Sequence, residues 1–347
     1  MLLIILALVA INLAQKPLTA RELAEKPIPK EAELLDGQAL ADYVNQHQTF
    51  WKAAYSPDAE EFFKHRIMDS KFLEDTHAMD LPVKEIDPVG DIPDSFDARE
   101  HWPKCTSIGY IRDQSACGSC WAVSVGAAIG DRVCTQSNGT RKVHTSDTDI
   151  LACCRNCGFG CNGGYTIRAW EYLITDGVVT GGRYRDKGVC KPYAFHPCGR
   201  HENQKYYGEC PDDGWTTPKC RKTCQIRYRD KTYEEDKIYG TRAYQLASNE
   251  RAIRQEIMTN GPVVASFRVY SDFKLYKGGI YVHTGGYERG GHAVKVIGWG
   301  TENGTDYWLI ANSWNTDWGE NGGYFRILRG SNHCQIEQRV VAGMIRQ

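Results

Sequence analysis

No cysteine occurs before Cys105 in this 347-residue chain, although fourteen lie at or beyond it. No lysine or arginine precedes Lys16, after an opening that reads MLLIILALVAINLAQ. An excess of one charge is also missing: 42 Lys plus Arg against 43 Asp plus Glu leave a net charge of −1. Each absence excludes something. A balanced chain lacks the basic face that collects phosphates, so no nucleic-acid partner is expected. The apolar run Leu2–Leu13 falls short of the ~20 residues that span a bilayer, and no later run is longer, so no membrane anchor is expected. Followed by small residues, it reads instead as a signal peptide over residues 1–15, with the α-amino group as its positive charge. Such a leader implies an oxidising compartment in which most cysteines pair. The protein is therefore expected to be secreted or lysosomal.

The cysteine-free stretch from Lys16 to about Gly90 is rich in charge. Ala39 to Phe63 has helix-like spacing through Leu40, Tyr43 and Val44 and on to Phe50 and Trp51. The run LPVKEIDPVGDIP, from Leu81 to Pro93, reads as a linker and cleavage region. Residues 16–91 thus resemble a propeptide and 92–347 a disulfide-rich mature domain; an ordinary helical subdomain is the alternative. Helices are expected over Trp121–Val133, Tyr165–Thr175 and Glu250–Thr259, and strands over Ala293–Trp299, Tyr307–Ala311 and Tyr324–Leu328. A helical half therefore precedes a β half, an α+β arrangement. Between them, Gly181 to Tyr239 has little periodicity but holds five cysteines. An irregular stretch of that length inside a domain is commonly functional or cross-linked.

The most informative segment is Gln114-Ser115-Ala116-Cys117-Gly118-Ser119-Cys120-Trp121. Gly118 and Ser119 can turn tightly, which starts the helix at Cys120 and places its sulfur at the positive end of the helix dipole. That favours the nucleophilic thiolate. The Gln114 amide and the Cys120 N–H could hold the oxyanion of a tetrahedral intermediate. Taken alone, Cys117-x-x-Cys120 also fits a redox pair or a plain disulfide. A base is available in His292 of GGHAVKVIGWG, where Gly290, Gly291 and Ala293 leave room for substrate backbone. Asn312, in YWLIANSWNTDWGENGGY, can orient such a histidine. Nothing in this set calls for a metal or a cofactor.

Cys-Gly-Ser-Cys-Trp resembles the signature of the papain and cathepsin cysteine proteases, and Asn312-Ser313-Trp314 resembles their Asn-Ser-Trp segment. The resemblance implies a papain-like fold of two subdomains, helical on the left and β-barrel-like on the right, with the active site in the cleft between them. It implies Cys120 as nucleophile, His292 as acid/base, Asn312 as its orienting partner, Trp314 as a cover over that hydrogen bond and Gln114 in the oxyanion hole. The runs SFDAREHWPKC, IRDQSACGSCWA, GCNGGY, GPVVASFRVYSDF and FRILRGSNHC, and YVNQHQTFWKA before them, are similar to the cathepsin B branch. YWLIANSWNTDWGE further resembles cathepsin B-like gut enzymes of blood-feeding worms, implying haemoglobin or another host protein as substrate. By the same resemblance the disulfides are Cys105–Cys134, Cys117–Cys161, Cys153–Cys220, Cys154–Cys157, Cys190–Cys224 and Cys198–Cys210. Gly164, Tyr165, Gly291, Ala293, Trp314, His201 and Arg339 would contact substrate.

His292 and Asn312 follow Cys120 by 172 and 192 residues. The family's spacing is about 130–150, so a surplus of roughly 40 marks an insertion. In cathepsin B this is the occluding loop, here about residues 195–215, which makes the enzyme a dipeptidyl carboxypeptidase. The loop reads Cys198-Gly199-Arg200-His201, with Arg200 in place of the first of two histidines and His201 as the residue that takes a terminal carboxylate. An Arg200–Asp113 ion pair, insensitive to neutral pH, is the expectation. Arg339 stands where many cathepsin B enzymes place a glutamate at the base of a specificity pocket, so Arg should be rejected there. Asn138-Gly-Thr and Asn303-Gly-Thr are glycosylation sequons. Expected partners are protein and peptide substrates, the chain's own propeptide and cystatin-type inhibitors. The competing reading is a catalytically weak relative acting as a binding protein.

Overall fold

The computed structural model describes residues 17–74, 83–84 and 90–347. The expected signal peptide lies outside the described residues, as does much of Leu81–Pro93. The N-terminal segment forms α1 (Ala20–Glu25), α2 (Lys30–Glu33), α3 (Gly37–His47), β1 (Trp51–Ala53), α4 (Ala59–Lys64), a 3-10 turn over Ser70–Leu73, and β2 (Val83–Lys84). Thr19 and Glu22 close a capping box at the start of α1. The helix-like spacing from Ala39 to Phe63 does not yield one helix. Gln48 ends α3, accepting from the amides of Phe50 and Trp51 at 2.7 and 2.9 Å and donating to the Trp51 carbonyl at 2.7 Å. Trp51 then pairs with Gly279 in a neighbouring strand, so tertiary pairing overrides the local period.

The remainder contains β3 (Phe96–Asp97), α5 (Ala98–His101), α6 (Cys120–Gln136), α7 (Asp147–Cys153), α8 (Thr166–Thr175), β4 (Gly240–Leu246) and α9 (Glu250–Asn260). The strands β5 (Val263–Tyr270), β6 (Tyr276–Tyr281), β7 (Glu288–Glu302), β8 (Thr305–Ala311), β9 (Tyr324–Leu328) and β10 (Val340–Ile345) complete it. The sheet order is β1-β6-β9-β8-β7-β5-β10-β4-β2, with β3 on β7. This path is open, so the right half is not a closed barrel. The N-terminal segment supplies both ends of the path: β1 adds antiparallel to β6 and β2 adds parallel to β4. Edge amides and carbonyls of the sheet are thereby paired.

Alternation along β5 separates two cores. Val263, Ala265, Phe267 and Val269 pack with Val294, Val296, Trp308 and Trp314 on one face. Val264 faces the other way and joins Ala293 and Val341 against α6 and α8. Every residue of α6 except Gln136 is buried, so its charges need partners. Asp131 takes Lys295 at 2.7 Å. Arg132 holds Glu256 of α9 at 2.9 Å and the carbonyls of Pro262, Gly261 and Gly343 at 2.7–3.0 Å. These bonds fasten the helical half to the sheet. Gly181–Tyr239 contains neither helix nor strand and is held by Cys153–Cys220, Cys190–Cys224 and Cys198–Cys210.

Glu256→Gln would leave the Arg132 guanidinium buried without a counter-charge. Removing one partner of such a pair costs roughly 3–5 kcal/mol, so denaturant unfolding should show a loss of that order. A loss below about 1 kcal/mol would mean that Arg132 does not depend on this carboxylate.

Candidate active site

Cys120 is the first residue of α6 and carries no disulfide, whereas Cys117 is bonded to Cys161. The remaining bonds are Cys105–Cys134 and Cys154–Cys157, with Cys334 free. The Ser119 hydroxyl does not cap α6; it meets the Tyr193 hydroxyl at 2.8 Å. The first amides of the helix therefore stay available. Burial pushes the Cys120 thiol up to about 12, while hydrogen bonds from the backbone N–H groups of Ala293, Trp121 and Cys120 itself pull the other way.

His292 lies in β7 and Asn312 directly after β8. The Asn312 side-chain oxygen accepts from the Ser313 amide at 2.8 Å, which fixes its orientation, and from His292 Nε2 at 2.8 Å. His292 must then carry a proton on Nε2, leaving Nδ1, which is buried without another partner, as the free base. Trp314 stacks over the imidazole with centroids 4.6 Å apart. Burial brings His292 down to about 4, against the Asn312 hydrogen bond that raises it. Gln114, fully buried, is locked in turn: its oxygen accepts from Ser313 Oγ at 2.8 Å and Trp314 Nε1 at 3.1 Å. Its NH2 must point the other way, toward the carbonyls of Cys117 at 2.8 Å and Arg66 at 3.0 Å.

Arg66 belongs to the N-terminal segment, which runs through the cleft. Met68 bonds Gly291 in both directions, at 2.9 and 2.8 Å. Phe72 lies over Gly163, where a Cβ would come within 2.4 Å of its ring, and edge-on to Tyr165 at 5.2 Å. Leu73 sits on Gly291, where a Cβ would meet it at 2.9 Å. The cleft walls are thus glycine where the Phe72 and Leu73 side chains press on them, and Gly290 lets the Met68 carbonyl come close. Gly164, singled out in the sequence, turns instead onto Trp121; Gly163, its neighbour, was missed because adjacent glycines are indistinguishable by type. Glu60 clamps the segment to the body through Lys274 at 2.5 Å and through both terminal nitrogens of Arg289. Lys274 also takes Asp36 at 2.6 Å. Phe63 packs edge-on to Trp314.

The disulfide Cys198–Cys210 closes a loop over one end of this cleft, next to the Arg66 guanidinium. His201 sits between two carboxylates: Nδ1 is 3.0 Å from both oxygens of Asp317, and Nε2 is 3.5 Å from Asp113, a charge contact without a hydrogen bond. Arg200 does not reach Asp113; its guanidinium lies over the Tyr206 ring at 4.9 Å. The expected Arg200–Asp113 pair is therefore not formed: His201 stands between Asp113 and Asp317 instead, and Arg200 turns onto Tyr206. Arg339 is half-buried and bonds Gln335 at 2.9 Å. Asn138 and Asn303 are exposed, the first beyond α6 and the second in the β7–β8 turn.

A family model for papain family cysteine proteases matches residues 92–344. This chain belongs to that family. It is 52% identical over 328 residues to "Cathepsin B-like cysteine proteinase 1" of Haemonchus contortus, covering 94% of each chain. It is 48% identical over 326 residues to "Cathepsin B-like cysteine proteinase 6" of Caenorhabditis elegans, covering 92% of this chain and 86% of that one. Procathepsin B S9 from Trypanosoma congolense superposes with a TM-score of 0.74 at 36% identity, over 91% of this chain and all of that one. The chain is a cathepsin B-like cysteine proteinase with a propeptide, and the segment in the cleft corresponds to that propeptide. Among the described residues no helix is long and apolar enough to cross a membrane.

The hydrogen bond from Arg289, helped by Lys274, outweighs partial burial and pulls the Glu60 carboxyl down to about 2. A depressed carboxyl contributes to docking above its ordinary value and loses that contribution only as pH falls through the depressed one. The clamp is therefore intact across pH 4–7. Glu60→Gln should raise hydrolysis of a small fluorogenic peptide by uncleaved precursor, by a similar factor at pH 5 and pH 7. A gain at only one of the two would contradict a clamp that does not titrate between them.

Proposed function

We propose that the mature enzyme both cuts within peptide chains and removes C-terminal dipeptides, with Cys120 as nucleophile and His292 as acid and base. With the propeptide gone, water and substrate return to the cleft and the Cys120–His292 pair can exist as thiolate and imidazolium. The thiolate attacks the scissile carbonyl. The oxyanion forms where the Arg66 carbonyl now rests, facing the Gln114 NH2 and the start of α6. His292 gives its Nδ1 proton to the leaving amine while Nε2–H stays on Asn312. It then takes a proton from the water that hydrolyses the acyl-enzyme. Gly163, Tyr165, Gly291 and Ala293 would contact the peptide on the non-primed side, and cystatin-type inhibitors would enter the same cleft. Six disulfides favour passage through the secretory route to a secreted or lysosomal location, with glycans on the exposed Asn138 and Asn303.

The observation that carries the dipeptide-releasing half is His201. Among the described residues its Nε2–H has no hydrogen-bond partner, and at the closed end of the cleft it would serve as a distance-setting donor for a terminal carboxylate. Burial lowers the basicity of His201, but Asp317 and Asp113 prevail over burial and Arg66, and the net shift is upward from 6.5. A raised histidine contributes fully below its ordinary value, and the contribution fades as pH climbs through the raised one. The ratio of dipeptide release to internal cleavage should thus be flat from about pH 4.5 to 6.5 and fall above that. His201→Ala should cut the ratio at pH 5 by about 10-fold, the size of one charge-assisted hydrogen bond, and Arg200→Ala should leave it unchanged. A ratio flat to pH 8, or untouched by His201→Ala, would contradict the assignment.

A further inference from the structure

The cleft face of the sheet carries two arginines that the chemistry above does not use. On β5, Ser266 stands opposite Ala293 and Arg268 opposite Gly291. The Ser266 amide donates to the Arg339 carbonyl at 3.1 Å, which sets Arg339 beside Ser266, one step along the same face from Arg268. Gly291 and Ala293 leave the space in front of these side chains unfilled. In the precursor Leu73 fills it, only 1% exposed. The next residue, Glu74, turns its carboxylate 3.3 Å from Arg268 and acts electrostatically on Arg339 as well. Arg268 also holds Glu288 at 2.7 Å, whereas the hydrogen bond of Arg339 among the described residues goes to the neutral Gln335 amide. When the propeptide leaves, two guanidinium groups face the subsite, and Glu288 stays paired to one of them, Arg268.

We infer that Arg268 and Arg339 make this subsite, the one for the second residue before the scissile bond, a reader of acidic side chains. Leu73 and Glu74 together occupy what a single glutamate of a substrate would occupy. Its methylene stem lies on the bare backbone of Gly291, and its carboxylate reaches the arginines. An arginine at the same position meets two like charges and is rejected. Glu288 tempers the effect by neutralising part of Arg268. The inference rests on the peptidase activity and on the position given to Arg339 by resemblance to the family. It does not depend on dipeptide release.

The test compares mature enzyme on substrates that differ only at that position, carrying Glu, Gln, Leu or Arg. The Leu substrate reports the peptidase itself, so a loss of that activity registers separately. At pH 6 and low salt, kcat/KM for Glu should exceed that for Gln by about 5-fold, the range of a partly exposed charge pair. The Glu/Gln ratio should fall toward 1 near pH 4, as a side chain with an ordinary value near 4.3 takes up its proton. Taking the ratio cancels the ionisation of Cys120 and His292. Arg268→Gln and Arg339→Gln should each lower the ratio, and Glu288→Gln should raise it. A Glu/Gln ratio at or below 1 in the unmutated enzyme, or one unmoved by both arginine substitutions, would overturn the inference.

Discussion

The hydrogen bond from His292 Nε2 to Asn312 Oδ1 fixes which nitrogen of the imidazole is free, and the rest of the site is arranged around that choice. His292 rides on β7 and Asn312 on the end of β8, so the sheet sets their separation. Cys120 comes from the other half, at the tip of a helix that is buried along almost its whole length. Cys120 and the His292–Ala293 segment therefore come together only if helix and sheet dock in one register. Arg132 and Asp131, placed on the buried face of α6, enforce that register because neither can lose its partner without stranding a charge.

The propeptide exploits the same geometry without doing the chemistry. It extends the sheet at both ends of its path, lays Phe63 against the tryptophan that covers His292, and sets the Arg66 carbonyl on the Gln114 amide. Filling the cleft also removes water from Cys120 and His292, and burial then favours the neutral form of each.

Much of this could be read in the sequence where chemistry depends on residue type at a fixed spacing. Cys120, His292, Asn312 and Gln114 stand out there by type; in the structure His292 meets Asn312, Gln114 meets the neighbouring Ser313, and the Ala293 amide beside His292 reaches Cys120. The helix over Trp121–Val133 and the strand Tyr324–Leu328 follow from apolar periods strong enough to outvote their surroundings. What stayed hidden depends on contacts between distant segments. Trp51 looked helical because its strand partner lies more than two hundred residues away. Arg200 reads as the loop anchor because the direction in which each loop side chain is turned, His201 toward Asp113 and Asp317 and Arg200 toward Tyr206, has no trace in residue order. Arg268 is not distinguished by residue order, since one charge in an apolar strand gains meaning only beside Arg339 and Glu74.

The coupling of Cys120 ionisation to an open cleft is best tested by the pH dependence of iodoacetamide alkylation, with the Cys120→Ala protein as the blank for Cys334. In the mature enzyme the rate should rise with an apparent value well below the 8.5 of a free thiol, and His292→Gln should move that rise upward toward it. In the uncleaved precursor, where burial pushes the thiol up to about 12, alkylation at pH 6 should be negligible. A precursor and mature enzyme sharing one low-pH alkylation profile would contradict the account.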